Sequence, residues 1–180
     1  SALELNSKPH GELSGTRVLV RGGARELVED SGMAAGTVVE VRELFFNIES
    51  RLDFLKTSAT EARYITDMIT RIALTHPSVR FRLVRDGKVI RDLPAVDQLK
   101  DRILELLGRE VYDALYPLSS SKALEGVTVR GFFSKPGHVQ RSARGIYTFV
   151  NDRYVTEPTI RAASVSYTHL RAHETASYRV

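Results

Sequence analysis

A chain of 180 residues with 42% apolar and 27% charged content has room for one large domain or two small ones and an ordinary globular composition. It holds no cysteine, which excludes disulfides and zinc–thiolate sites. No apolar run approaches the roughly 20 residues of a membrane helix, and the first residues lack the basic start and apolar core of a secretory signal, so a cytoplasmic protein is expected.

In chain order, Ala2 to Asn6 reads as a short strand with Leu3 and Leu5 on one face. Lys8-Pro9-His10-Gly11 is a loop. Gly15 to Arg21 alternates as a second strand, Gly22-Gly23 marks a tight turn, and Ala24 to Val28 returns beside it. Asp30-Ser31-Gly32 is another turn. A further strand is expected over Val38 to Phe45. Strands joined by such tight turns pair antiparallel.

The first long helix opens with a capping box, Ser58-Ala59-Thr60-Glu61. Tyr64, Ile65, Met68, Ile69, Ile72 and Ala73 recur at helical spacing and are expected to face a core. His76-Pro77 ends the helix. Val79 to Arg85 and Lys88 to Leu93 form a hairpin around Asp86-Gly87, with Arg80, Arg82 and Arg85 on its wet face. Pro94 to Asp97 reads as a boundary. Beyond it come a helix over Gln98 to Leu107 closed by Gly108, a short helix over Glu110 to Leu115, and a strand over Val127 to Phe133. A polar basic loop over Ser134 to Gly145, an apolar strand over Ile146 to Val150 and a helix starting at Pro158 follow.

The net charge is +4, and it is concentrated. Between Arg130 and Arg161 stand six arginines and lysines against Asp152 and Glu157, so the rest of the chain is formally neutral. Such a local excess suits nucleic-acid phosphate, and it equally suits a solvated arginine-rich face.

The most informative stretch runs from Gly36 to Lys56. A Gly-Thr pair opens an alternating strand, which ends in Phe45-Phe46 and is broken by Asn47. In order and spacing, Gly36, Thr37, Leu44, Phe45, Asn47, Arg51, Phe54, Leu55 and Lys56 resemble the fourth ATP-site motif of the MutL family of DNA mismatch-repair ATPases. Ile48-Glu49-Ser50 stands where that family has Thr-Pro-Ala, and Asp53 stands where a basic residue is usual. The resemblance continues through Arg71-Ile72-Ala73-Leu74, His76-Pro77, Asp86-Gly87, Val129-Arg130-Gly131-Phe132 and Phe149-Val150-Asn151 with Arg153-Tyr154-Val155. Asp152 departs from the family's glycine. The resemblance covers roughly Leu3 to Ala163.

The resemblance implies an α/β fold of the sandwich type. Residues 1–95 would be the C-terminal part of a GHKL ATPase domain with a mostly antiparallel sheet. Residues 96–164 would start a transducer domain of the ribosomal protein S5 domain 2-like type. It implies an internal fragment of a longer parent that uses ATP and magnesium, closes as a homodimer and binds DNA. That parent would relay mismatch recognition to strand-processing repair proteins in the bacterial cytoplasm, at the nucleoid. The family's glutamate base, its magnesium-binding asparagine and its adenine-reading Asp-x-Gly-x-Gly do not occur in this chain, so no catalytic residue and no metal ligand is assigned.

Two sets of site residues are carried over. The resemblance makes Gly36 and Thr37 nucleotide contacts of the full-length parent, where the Thr37 hydroxyl can bridge a base nitrogen and a water; in this fragment the pair is expected to be idle, with no cofactor bound and no ATP turnover. Arg141, Arg144 and Arg153 are the DNA contacts, made to phosphate and therefore insensitive to base sequence. The family's γ-phosphate lysine falls outside the resemblance, so neither Lys122 nor Lys135 takes that role. The rival readings are another GHKL ATPase of the gyrase type and a non-enzymatic basic nucleic-acid-binding α/β domain. Residues 165–180 do not fit the family. Ser166 to Thr175 resembles translated sequencing-adapter read-through, and this tail is expected to be non-native despite the helical spacing of His169 and His173.

Overall fold

Four alternating segments pair into one antiparallel sheet: β1 (Ala2–Lys8), β2 (Gly15–Arg21), β3 (Ala24–Ser31) and β4 (Gly36–Arg42), in the order β3-β2-β1-β4. The structure, a computed structural model, describes residues 1–119, 126–135, 145–160 and 162. These fall into two compact units, Ser1–Glu61 and the chain from Ala62 onward.

In the first unit, Leu5 stands opposite Val18 of β2 and Val39 of β4, and Leu3 opposite Val20 and Val41. Period-2 alternation then puts Leu3, Leu5, Val18, Val20, Val28, Val39 and Val41 on one face. The other face is ion-paired. Arg17 donates to both oxygens of Glu4, at 2.9 and 3.1 Å, and to Glu29 at 2.9 Å. The Arg17 hydrogen bonds hold the Glu4 carboxyl below its ordinary value. β2 can start where it does because residue 15 is glycine: a Cβ there would lie 2.7 Å from the Ser7 carbonyl oxygen. β3 runs three residues further than its sequence suggests, since Glu29, Asp30 and Ser31 continue the ladder to Arg17, Thr16 and Gly15.

β4 is shorter than expected. It stops at Arg42, not Phe45, because Glu43 and Phe45 take left-handed backbone angles, φ 50° and 66°. A strand cannot continue through such residues. A four-residue helix, α1 (Glu49–Leu52), follows. The long helix α2 (Ser58–Thr75) begins one residue after its cap. That cap is Thr57, not Ser58: the Thr57 hydroxyl accepts from the Thr60 N–H at 3.4 Å, and Glu61 reaches back to the Lys56 N–H at 2.9 Å. Two adjacent hydroxyl residues both satisfy the sequence rule, and the capping geometry falls to the earlier one.

In the second unit, β5 (Phe81–Arg85) and β6 (Lys88–Leu93) form the expected hairpin. Arg80 pairs with Asp92 through two hydrogen bonds, which hold the Asp92 carboxyl below its ordinary value. α3 (Leu99–Leu107) ends at Gly108, whose φ of 86° lets its N–H return to the Leu104 carbonyl. α4 (Arg109–Asp113) follows at once. Leu115, expected at the end of that helix, instead starts β7 (Leu115–Ser119), which pairs with β8 (Arg130–Ser134). Alternation of Leu115, Pro117 and Ser119 is too short a pattern to outweigh the helical run before it.

Among the described residues of this unit, the buried ones are Ala73, Leu74, Leu93, Ile103, Ala114 and, unusually, Arg102. Arg102 Nη2 donates to the carbonyls of Pro77 at 2.7 Å and Val79 at 2.8 Å, and Nη1 donates to Glu105 at 2.8 Å. The arginine therefore pins α3 to the segment between α2 and β5. The apolar stripe of α2 is less buried than its spacing suggests: Tyr64, Ile65, Met68 and Ile72 are all at least 40% exposed.

β9 (Thr148–Val150) and β10 (Arg153–Val155) form a tight hairpin that the sequence reading did not foresee. Its two turn residues, Asn151 and Asp152, have φ of 49° and 63°. A two-residue turn of this kind needs positive φ at both positions, and glycine takes it with less strain than aspartate. Replacing Asp152 with glycine is expected to raise stability by about 0.5–1 kcal/mol, read from the urea midpoint at constant slope. A lowered midpoint would show that Asp152 supports the turn through its side chain.

Candidate functional site

The Gly36-Thr37 pair opens β4 at the sheet edge, opposite Lys8 and Ser7 of β1. Thr37 lies on the same face as Val39 and Val41, so its hydroxyl borders the apolar face and not the ion-paired one. The Thr37 and Ser7 hydroxyls are 2.8 Å apart and share one hydrogen bond. A hydroxyl has one proton and two lone pairs, so Thr37 retains capacity for a further partner. A Cβ at Gly36 would meet no atom within 4 Å, and Gly36 itself has a φ of 139°. The edge is thus open to close approach from outside.

The aromatic–asparagine corner closes the other end of β4. The Arg21 guanidinium lies 5.6 Å from the centre of the Phe46 ring and 3.2 Å from the Glu43 carboxylate. Gly22 faces Phe46 and Asn47, so the corner folds against the β2–β3 turn. Arg51 lies 5.6 Å from the centre of the Phe45 ring. Backbone bonds from the Phe46 N–H to Glu43 and from the Ile48 N–H to Phe45 hold the turn. A phenylalanine at positive φ is costly, about 1–3 kcal/mol, and persists only where its surroundings hold it.

Of the three arginines expected to meet DNA, Arg153 is exposed at the start of β10, beside a shallow depression lined by Val150, Asn151, Arg153 and Val155. Arg141 and Arg144 lie outside the described residues, as do Lys122 and residues 165–180. Gly36 and Thr37 belong to the first unit and Arg153 to the second. Among the described residues no group of three His, Asp or Glu side chains could hold a metal, and no helix is long and apolar enough to cross a membrane.

One cluster escaped the sequence reading. The Arg71 guanidinium carbon lies 4.1 Å from the centre of the Tyr154 ring. Tyr147 is partly buried nearby; that burial, with the Asp67 carboxylate, pushes its phenol above the ordinary value, while Arg71 pulls it down. Asp67 and Arg71 are four apart, so they share a helix face. That spacing is visible in the sequence, but nothing there shows what the face meets.

Comparison with known proteins agrees with this architecture. Residues 103–177 match a family model described as the C-terminal domain of DNA mismatch repair protein. The DNA mismatch repair protein MutL of Geobacter sulfurreducens is 40% identical over 164 residues, 91% of this chain and 26% of that protein. That of Symbiobacterium thermophilum is 37% identical over 171 residues, 94% of this chain and 27% of that protein. The chain therefore spans about a quarter of the length of the curated relatives it matches. Among solved structures, the Aquifex aeolicus MutL ATPase domain complexed with ADP superposes with a TM-score of 0.74 at 31% identity, covering 90% of this chain and 61% of that one. The N-terminal domain of a DNA repair protein, at 18% identity and a TM-score of 0.72, shares the fold. The expected α/β architecture with antiparallel sheets is the one observed. With its motifs in order from Gly36 to Val155 and nine-tenths of its length aligned, the chain belongs to the MutL family of DNA mismatch repair proteins.

Proposed function

We propose that this chain is part of the ATPase region and the start of the transducer lobe of a mismatch-repair protein. Its parent binds and hydrolyses ATP to drive closure of a homodimer, binds DNA, and relays mismatch recognition to strand-processing enzymes in the cytoplasm. The observation that carries this is the superposition of 90% of the chain on a MutL ATPase domain that holds ADP. In this reading residues 1–95 belong to the ATPase sandwich and residues 96–164 to the transducer. Gly36 and Thr37 border the nucleotide at the open sheet edge, and Arg153, with Arg141 and Arg144, contacts DNA phosphate. Magnesium would be held by residues of the parent beyond those present here. ATP would supply the binding energy for closure, and this chain's part is to shape one edge of its pocket. The gyrase-type alternative is not favoured, because the matching proteins carry the mismatch-repair description.

The test uses the full-length parent. Loss of one hydroxyl bond at the nucleotide should raise the KM for ATP roughly 3- to 10-fold in Thr37→Ala, while Thr37→Ser stays near wild type. Arg153→Ala should weaken DNA binding uniformly across sequences and lower the salt slope by about one. An unchanged KM in Thr37→Ala would remove Thr37 from the nucleotide site. An unchanged salt slope in Arg153→Ala would remove Arg153 from the DNA surface.

A further inference from the structure

α2 follows the aromatic–asparagine corner in the chain, and its later turns face the β9–β10 hairpin. The contact is made by charge on aromatic. Arg71 sits 4.1 Å from the Tyr154 ring centre, well inside the roughly 6 Å reach of a cation–π contact. The Asp67 carboxylate, one turn earlier on α2, acts electrostatically on Tyr147 just before β9. Phe149 and Tyr154 meet edge to face with centres 5.8 Å apart, which binds the two hairpin strands to each other. Tyr154 and Arg153 are consecutive in β10, so alternation sends their side chains to opposite faces. The hairpin shows Tyr154 to α2 and Arg153 to solvent.

We propose that the Arg71–Tyr154 stack is the coupling contact through which nucleotide binding alters the DNA-contacting hairpin, with both residues acting as positioning residues. This rests on the functional reading above. The stack is short-ranged, so a small displacement of the guanidinium from the ring switches it off. Sliding α2 by a residue or two, about 1.5 Å each, carries the guanidinium toward the edge of its reach and releases the hairpin. Shifts of that size are ordinary in packed helices that relay binding events. A contact present in one state and absent in the other is what makes two sites thermodynamically linked.

The experiment uses the full-length parent and four variants: Arg71→Ala, Arg71→Lys, Tyr154→Leu and Tyr154→Phe. DNA affinity is measured with and without a non-hydrolysable ATP analogue, and basal ATP turnover is measured without DNA. Arg71→Ala and Tyr154→Leu should lower the ratio of the two affinities about fivefold or more, with basal turnover within about twofold of wild type. Tyr154→Phe, which keeps the ring, and Arg71→Lys, which keeps the cation, should retain most of the ratio. If Arg71→Ala is too unstable to purify, Tyr154→Leu decides. A wild-type ratio in Arg71→Ala and Tyr154→Leu overturns the coupling alone. A wild-type parent whose DNA affinity ignores the nucleotide overturns the functional reading and the coupling with it.

Discussion

Arg102→Ala is expected to lower the unfolding free energy by about 3 kcal/mol. The side chain is fully buried, and its guanidinium serves three acceptors. Truncation leaves the Val79 carbonyl without its donor and Glu105 without its counter-charge. The Pro77 carbonyl keeps the Val96 N–H as a partner, so its loss is the smaller one. The Nε of Arg102 has no partner among the described residues, which limits what the native residue contributes. Arg102→Lys should recover part of the loss, because one ammonium can serve both carbonyls without the guanidinium fork. Denaturant midpoints of the two variants measure this. A loss under about 1 kcal/mol for alanine would mean that water replaces the buried bonds.

The second large effect separates the chain from its parent. Val39 lies at the centre of the apolar face of β4, yet it is 56% exposed, with Val28 and Val41 similarly placed. No large apolar residue of the first unit is buried among the described residues. A face of this composition is built to be covered. In the functional reading, the parent's remaining segments cover it. Val39→Asp should then cost about 3–5 kcal/mol in the parent, where a carboxylate would be buried without a partner. In this chain alone the same change should cost within about 0.5 kcal/mol and reduce binding of a hydrophobic dye. Equal costs in both proteins would mean that the face stays open in the parent.

Much of the fold was legible because it is locally encoded. β1, β2, β4 and the Asp86-Gly87 hairpin follow from alternation and turn chemistry within a few residues. α2 follows from an apolar period and a proline stop. The misses share one cause. Thr57 rather than Ser58 caps α2, and β4 stops at Arg42 because φ turns positive at Glu43, and both outcomes depend on which local option the neighbouring packing holds in place. β7 and β10 are three- to five-residue strands that exist only because a partner strand runs beside them.

The same division applies to function. The family was legible in the order of residues, as were the candidate Gly36-Thr37 pair and the candidate basic stretch around Arg153, since a motif is a local string whose spacing survives in one dimension. Tertiary structure alone decided that Thr37 borders the apolar face, that Arg102 is buried against two carbonyls, and that Arg71 stacks on Tyr154. Those facts join residues 23 to 83 positions apart, and only chain folding brings such pairs within the few ångströms over which hydrogen bonds and ring contacts act.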